Sequence, residues 1–384
     1  MSSKQILIVG AGLAGATAAR ELVENSNHKI TVIDERAHVA GNCHTERCPD
    51  TNILQHCYGP HIFHTDRADI WHYVQQFGEW MPFTNRVKAN TNRGIFSLPI
   101  NLHTINQFFD RQFSPAQAQA FVASLGDKSI KAPENFEQQA LAMLGPELYE
   151  TFFYGYTKKQ WGVEPKALPA SILKRLPVRF DYNDNYYADT YQAIPKHGYT
   201  HIVENMLDHK QIEVKLNTSF DKSWLNNFSY TLFTGPIDAF FDYQFGTLGY
   251  RTVYWEKQQA NGDIQGNAVI NYPGLDVEYT RIHEHKHFAP WETHDQSIAF
   301  IEYAKETTSQ DTPFYPKRLP QDLDKLSAYI EAGNNQSNVS FLGRLGTYRY
   351  LDMHHVIAES ITFAQGFLQA SNSGAAIPSF PNST

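Results

Sequence analysis

The first forty residues set two short apolar runs on either side of a glycine-rich turn. Gln5–Val9 (QILIV) is a continuous apolar run ended by glycine, the pattern of a parallel strand buried on both faces. Ala16–Glu24 then reads as a helix, and Lys29–Ile33 (KITVI) as a second strand with Asp34 at its end. Farther along, Asn106–Leu148 is rich in Gln, Ala and other helix formers, punctuated by Pro115, Gly126, Pro133 and Gly145. That pattern predicts three or four helices, with Ser114-Pro115 and Pro133-Glu134 as helix starts. Phe152–Trp161 continues the helical block, and Leu168–Asn185, with Pro169, Pro177 and several basic residues, reads as a mobile surface loop. His201–Leu207 and Ile212–Leu216 read as a helix and a strand returning to the first layer. Tyr250–Trp255, Ala268–Asn271 and Tyr279–Phe288 alternate in the manner of antiparallel strands. Asn338–Leu342 is a further strand, and Asp352 precedes an apolar-periodic helix over Met353–Phe367. The Ser-, Gly- and Pro-bearing end is expected to be disordered.

Composition narrows the class. A chain of 384 residues has length for two or three domains and a sizeable core. The net charge of -8 argues against a general nucleic-acid binder, while leaving room for a phosphorylated small substrate held by a few local arginines. The 21 Tyr, 25 Phe and 6 Trp suit a large core, and equally a cleft that stacks flat ligands. Three cysteines, Cys43, Cys48 and Cys57, form no C-x-x-C, so neither a disulfide framework nor a structural zinc site is expected. No apolar run reaches membrane-spanning length and Met1–Gln5 is too polar and short for a signal peptide, which reads as a cytoplasmic protein without membrane insertion.

Gly10-Ala11-Gly12-Leu13-Ala14-Gly15 stands between the first strand and the first helix. Gly10 suits the tight turn, Gly12 the approach of backbone to a pyrophosphate, and Gly15 the packing of helix on strand. The helix N-terminus then offers free N–H groups to phosphate, and an acid about 20 residues on meets a ribose hydroxyl. Asp34-Glu35-Arg36 followed by Ala40-Gly41-Asn42 is similar to the extension found in FAD proteins, where a glycine pair follows the acid. Ala40 stands at the first glycine of that pair, which implies that the backbone there needs no glycine-only conformation. The strand, Gly343-Arg344, Asp352 and following helix supply a second segment fit for a flavin ribityl and pyrophosphate. No second G-x-G-x-x-G occurs, so no separate NAD(P)H domain is expected.

Other constellations carry less. His283, His285 and His287 alternate and would share one strand face, but without carboxylate backing they are not assigned to a metal. His354 and His355 are expected on different sides of their helix, making no pair. His61 and His64 are candidates to reach a flavin. No nucleophile elbow or Ser/His/Asp order stands out, so the nucleophile of an enzyme built on this chain belongs to its cofactor.

Seven blocks in one order resemble bacterial UDP-galactopyranose mutases, from Ile6 to about Phe367. They are Tyr58–Thr65 (YGPHIFHT), Tyr154–Gly162 (YGYTKKQWG), Lys174–Phe180 (KRLPVRF), Thr234–Gly246 (TGPIDAFFDYQFG), Gln265–Asn271 (QGNAVIN), Tyr279–Phe288 (YTRIHEHKHF) and Gly343–Met353 (GRLGTYRYLDM). The resemblance implies an α/β fold: a discontinuous Rossmann-like FAD-binding domain with an inserted helical domain and a twisted antiparallel β-sheet domain. The implied division is 1–80, 195–245 and 335–370 for the FAD domain and 100–165 for the helical domain. Residues 81–99, 166–194 and 246–334 form the sheet and substrate domain, and 371–384 the tail. It also implies a homodimer and a role in galactofuranose supply for cell-surface polysaccharide.

The implied reaction is the interconversion of UDP-galactopyranose and UDP-galactofuranose without net redox change. FAD must be reduced by an external reductant; its N5 then attacks the anomeric carbon and UDP leaves and returns. By position, Arg175 and Arg281 resemble the pair that clamps the diphosphate, where two guanidinium forks suit a pyrophosphate. Tyr315 and Tyr350 resemble its tyrosine partners. Trp161 resembles the tryptophan packing on uracil or sugar, with Asn85, Phe152, Thr157, Tyr186 and Asn271 around it. His61, Arg344 and Asp352 belong with the flavin, joined by Ile62, Phe220, Tyr350, Leu351 and Met353. Gly10, Gly12, Leu13, Gly15, Asp34, Glu35 and Asn42 hold its other end. Phe314 and Leu351 depart from the usual residues at their positions. Two other classes share these features: an amine-oxidase-like FAD oxidoreductase, which needs no prior reduction, and a non-catalytic nucleotide-sugar binding flavoprotein.

Overall fold

The computed structural model describes residues 3–175 and 178–381, and the side chains of residues 171, 174 and 175 fall outside that description. Its first layer is a five-stranded parallel sheet. Strand β1 (Gln5–Val9) lies at its centre, between β2 (Lys29–Ile33) and the strand Tyr230–Phe233. Ile212–Lys215 and Val339–Phe341 form the two edges. Helices cover the sheet, so Ile6, Leu7 and Ile8 are fully buried, which is why this strand is apolar at consecutive positions. Helix α1 (Leu13–Glu24) packs against the long helix Met353–Ser373 and against Tyr199–Leu207.

The second layer is a seven-stranded sheet running Tyr315–Pro316, Tyr250–Asn261, Gln296–Glu306, Arg281–Glu284, Val269–Asn271, Val87–Thr91 and Gly94–Leu98. Every pairing in it is antiparallel except that of Val269–Asn271 with Val87–Thr91. A small sheet of Phe63–Thr65, Tyr191–Pro195 and Trp80–Pro82 lies apart from both.

The helical block is built by its caps. Asn101 accepts from the Thr104 N–H and Ser114 forms a capping box with Gln117 ahead of Pro115. The third start differs from the expected Pro133-Glu134: Asn135 caps the helix and Phe136 begins it, because Asn135 can accept from the Gln138 N–H. Gly145, at φ 74°, kinks that helix just before Pro146. Within the segment expected as a mobile loop, residues 176–177 lie outside the described residues, and the part before them is structured. It holds a 3-10 turn over Ala170–Arg175, and Leu168 and Leu173 are buried in the helical core.

Three expectations are corrected. The strand over Tyr279–Phe288 ends at Glu284, and His285–Phe288 is a 3-10 turn, so the three histidines share no strand face. His354 is buried and His355 exposed, on different sides as expected, yet their rings do pair, with centroids 3.9 Å apart. The C-terminal end is ordered through residue 381: Ser379 accepts from the Phe341 N–H and the Phe380 ring stacks on Phe341, aromatic burial outweighing the polar composition. Among the described residues, no helix is long and apolar enough to cross a membrane.

Candidate active site

A cleft opens where the glycine turn, the end of β2 and the residues after Phe341 converge. Gly10 sits at φ 105°, and a Cβ there would stand 2.0 Å from Thr234 Oγ1. A Cβ on Gly15 would stand 2.0 Å from the Gly10 carbonyl oxygen, so only glycine lets α1 lie this close to the turn. Asp34 binds the turn to β2: its carboxylate accepts from the Ala11 N–H at 2.8 Å and the Arg36 N–H at 2.9 Å.

Of the residues expected around the cofactor, Gly10, Gly12, Leu13, Asp34, Glu35 and Asn42 line this cleft, as do His61, Phe220, Arg344, Leu351 and Met353. Gly15 lies behind it. Ile62 is 5% exposed within a separate core beside Phe83 and Val269, and is not brought to the cleft. Asp352 occupies the N-cap position of the helix Met353–Ser373 without a side-chain capping bond, while Tyr350 stands at the side, its ring 4.7 Å from the Arg344 guanidinium. His64 is turned away, bonded to Asp189 at 2.8 Å and stacked on Tyr187.

Ala40 corrects another expectation. Its φ of 72° and ψ of 0° are left-handed, the conformation that favours glycine. Ala40→Gly is therefore expected to raise stability by about 0.5–1 kcal/mol, the relief of strain exceeding the entropy that glycine adds to the unfolded chain. Denaturant unfolding checks this; an unchanged or lower midpoint would show that the turn carries no strain.

Arg36 was not singled out from the sequence. It lines the cleft, its guanidinium lies 4.7 Å from the Tyr58 ring, and its Nη2 donates to Asn42 at 3.0 Å. Its Nη1 is buried without a hydrogen-bond partner in the protein. A buried donor beside a glycine turn and a helix N-terminus fits a dinucleotide phosphate or ribose, so the residues present suit such a cofactor. At the other end His61 Nδ1 meets the Gly59 carbonyl oxygen at 2.9 Å. Burial pushes the His61 pKa down to about 4 against the opposing pull of that carbonyl, so the ring is neutral with its hydrogen on Nδ1 and a lone pair on Nε2.

The polar centre beyond is Arg281. Its Nε donates to Glu302 at 2.7 Å, and Glu302 is fully buried. Thr280 donates to the same carboxylate oxygen at 3.3 Å, and His283 Nε2 stands 3.4 Å from the other. Asn271 lies opposite Arg281 in the sheet register. Burial raises the pKa of Tyr156, of Tyr186 and, to about 12, of Tyr315, with Arg281 pulling each back. All three stay neutral, hydrogen-bearing phenols beside a permanent cation. Tyr315 and Tyr350 stack with centroids 6.0 Å apart, linking this centre to Arg344 at the cleft. Asn85 is buried with Oδ1 unpartnered, and its backbone carbonyl accepts from the Tyr186 N–H at 2.8 Å.

The helical residues divide. Phe152 is 5% exposed and packs edge-on against Phe96 in the helical core. Thr157 is buried one turn before Trp161, which ends the helix Gly155–Trp161 half-buried. Arg175 was expected opposite Arg281; its side chain lies outside the described residues. Glu302, Tyr156 and Lys159 are further polar residues that the sequence did not single out, although the last two stand in the YGYTKKQWG block.

A family model described as UDP-galactopyranose mutase matches residues 151–350, and one described as an NAD(P)-binding Rossmann-like domain matches residues 8–77. A protein of Klebsiella pneumoniae described as a probable UDP-galactopyranose mutase is 50% identical over 370 residues, 96% of each chain. A dTDP-fucopyranose mutase of Escherichia coli is 46% identical over 372 residues, covering 95% of this chain and 98% of that one. A solved reduced UDP-galactopyranose mutase superposes with a TM-score of 0.74 at 12% identity, covering 100% of both chains. A redesigned putrescine oxidase does so at 0.56 and 11% identity, covering 96% and 99%, a likeness of fold alone. Fold and cleft thus define a Rossmann-type dinucleotide-binding flavoprotein. The chain belongs to the UDP-galactopyranose mutase family, and it is an isomerase.

Proposed function

We propose that this enzyme interconverts UDP-galactopyranose and UDP-galactofuranose with FAD bound in the cleft and held reduced. The observation that carries the proposal is Arg281, a cation backed by buried Glu302 and ringed by neutral tyrosines, joined through Tyr315 and Tyr350 to the cofactor cleft. Reduced FAD supplies the nucleophile, its N5, for the anomeric carbon. Arg281 holds the diphosphate in place as UDP departs and returns, and Arg175 is its partner in this reading. Tyr315 and Tyr350 donate to phosphate oxygens through charge-assisted hydrogen bonds. Trp161, Thr157, Tyr186, Asn85 and Asn271 place the uridine and sugar. His61, neutral with a bare Nε2, accepts a hydrogen bond at the flavin edge.

The Escherichia coli relative favours a second reading, in which a dTDP-fucopyranose is the substrate. Both readings share the diphosphate clamp and differ in the sugar C6 hydroxyl and in the nucleoside. The test supplies dithionite-reduced and oxidised enzyme with each nucleotide sugar and analyses the products. UDP-galactofuranose formed only by reduced enzyme is the expected result. Turnover of dTDP-fucopyranose alone would establish the second reading, and oxidised sugar products would overturn both.

A further inference from the structure

The antiparallel hairpin Thr45–Arg47 and Leu54–His56 brings together residues unused by the site above. Thr45 stands opposite His56, and the Cys57 N–H donates to the His44 carbonyl at 3.0 Å, so His44 and Cys57 face each other across the hairpin. Glu46 lies two residues from His44 and therefore on the same side. One ligand atom from each of His44, Glu46 and Cys57 lies within 4.8 Å of the other two.

The hydrogen bonds behind His44 decide what it offers. The Thr200 hydroxyl donates to the Thr45 carbonyl at 2.9 Å and accepts from the Thr45 N–H at 2.8 Å. With its hydrogen committed, Thr200 Oγ1 accepts from His44 Nδ1 at 2.9 Å, which puts the imidazole hydrogen on Nδ1. Nε2 is then a bare lone pair, 3.8 Å from a Glu46 carboxylate oxygen. Burial and the neighbouring Glu46 carboxylate push the Cys57 thiol up to about 12, so its hydrogen stays on sulfur and bonds to that carboxylate; a cation binding the three ligands takes the place of this proton. Ring fixation through the other nitrogen is also what metal-ligating histidines show. The ring is braced from behind by His38, stacked at 3.7 Å and itself bonded to Tyr58.

We infer that His44, Glu46 and Cys57 form a zinc site with a solvent molecule as fourth ligand. Nitrogen, carboxylate and sulfur together suit Zn²⁺, and tetrahedral ligands stand roughly 3.3–3.8 Å apart, a small closure from the present spacing. Glu46 is exposed, which leaves an entry path and room for water. This departs from the expectation of no metal, because a hairpin register rather than a C-x-x-C spacing assembles the ligands. The other acidic and histidine cluster, Asp263, Glu284 and His287, is already satisfied: Glu284 accepts from three backbone N–H groups and Ser297, and Lys286 pairs with Asp263 at 2.6 Å. His44 directly follows Gly41–Cys43, which lines the cofactor cleft, so a bound zinc staples that turn to the hairpin.

The test uses the purified holoprotein, stripped with chelator and given Zn²⁺. Native mass spectrometry reads stoichiometry, and peptide mapping reads alkylation of Cys57 by iodoacetamide. One zinc per chain is expected, with Cys57 labelling slowed roughly tenfold or more. His44→Ala and Cys57→Ser are each expected to lose the zinc while keeping flavin. Labelling of Cys57 unaffected by Zn²⁺ in the wild-type protein, or equal zinc uptake by both variants, would overturn the assignment. The wild-type labelling decides the matter even where a variant fails to fold.

Discussion

Arg281→Ala is expected to lower turnover by about 10²-fold or more while the flavin remains bound, because one charge-assisted clamp on a departing diphosphate contributes several kcal/mol. Stability should fall as well. Glu302 is fully buried and its carboxylate bonds to Arg281 at 2.7 Å, so the alanine variant leaves an uncompensated charge inside the protein. The two effects separate in Arg281→Met combined with Glu302→Leu, which removes the charge pair as a unit. That double variant should recover much of the unfolding midpoint and none of the turnover. Steady-state kinetics, flavin absorbance and thermal unfolding on the three proteins provide the measurement. Near-normal turnover in Arg281→Ala would show that the guanidinium serves only to neutralise Glu302, and the diphosphate clamp would have to be sought elsewhere.

What the sequence revealed of this arrangement follows the range of the interactions involved. The Rossmann unit was legible because its signals are local: a buried strand, glycines with separate steric tasks, and an acid at the end of the next strand. Ser114 and Pro115 announced a helix start for the same reason. Arg281 and Asn271 were recognised by the blocks around them, and the sheet register then places them side by side. Glu302 escaped notice because a carboxylate in an alternating strand looks like any solvated face; only the pairing of Arg281 with it shows that its side faces inward. The histidine alternation over 283–287 misled because period two is a property of strands, and the strand stops at Glu284 where the chain turns. Ala40 misleads for another reason: a side chain argues against a left-handed backbone, whereas the closing of the turn imposes it. The ordered C-terminal end rests on Phe380 and Phe341, partners about forty residues apart that no local pattern links.

Lys159 carries the other large expected effect. Its ammonium shares three hydrogens among four backbone carbonyls, those of Tyr272 at 2.7 Å, Gly274 at 2.6 Å, Val277 at 3.1 Å and Tyr279 at 2.8 Å. The arrangement resembles a cation bound in a loop, with the charge supplied by the neighbouring helix. Lys159→Met removes the charge and leaves four converging carbonyl dipoles, which should cost about 2–4 kcal/mol of stability, given roughly 1.5–3 kcal/mol for a hydrogen bond to a charged group. The consequence reaches the site through geometry. The loop 272–279 begins next to Asn271 and ends two residues before Arg281, while Lys159 stands two residues before Trp161. One side chain therefore ties the helix that ends at Trp161 to the loop that leads into Arg281. Arg251 holds the same helix end from the other side, donating to the carbonyls of Gln160 and Lys159, so the helix itself should survive. Lys159→Met is accordingly expected to raise KM for the nucleotide sugar about tenfold, more than it lowers flavin retention, as a lost positioning contact does. Lys159→Arg should rescue little, since a planar fork does not match four carbonyls converging on a point. A lowered unfolding midpoint with unchanged KM would reduce Lys159 to a structural pin, and a full rescue by arginine would show that charge alone, without its geometry, orders the loop.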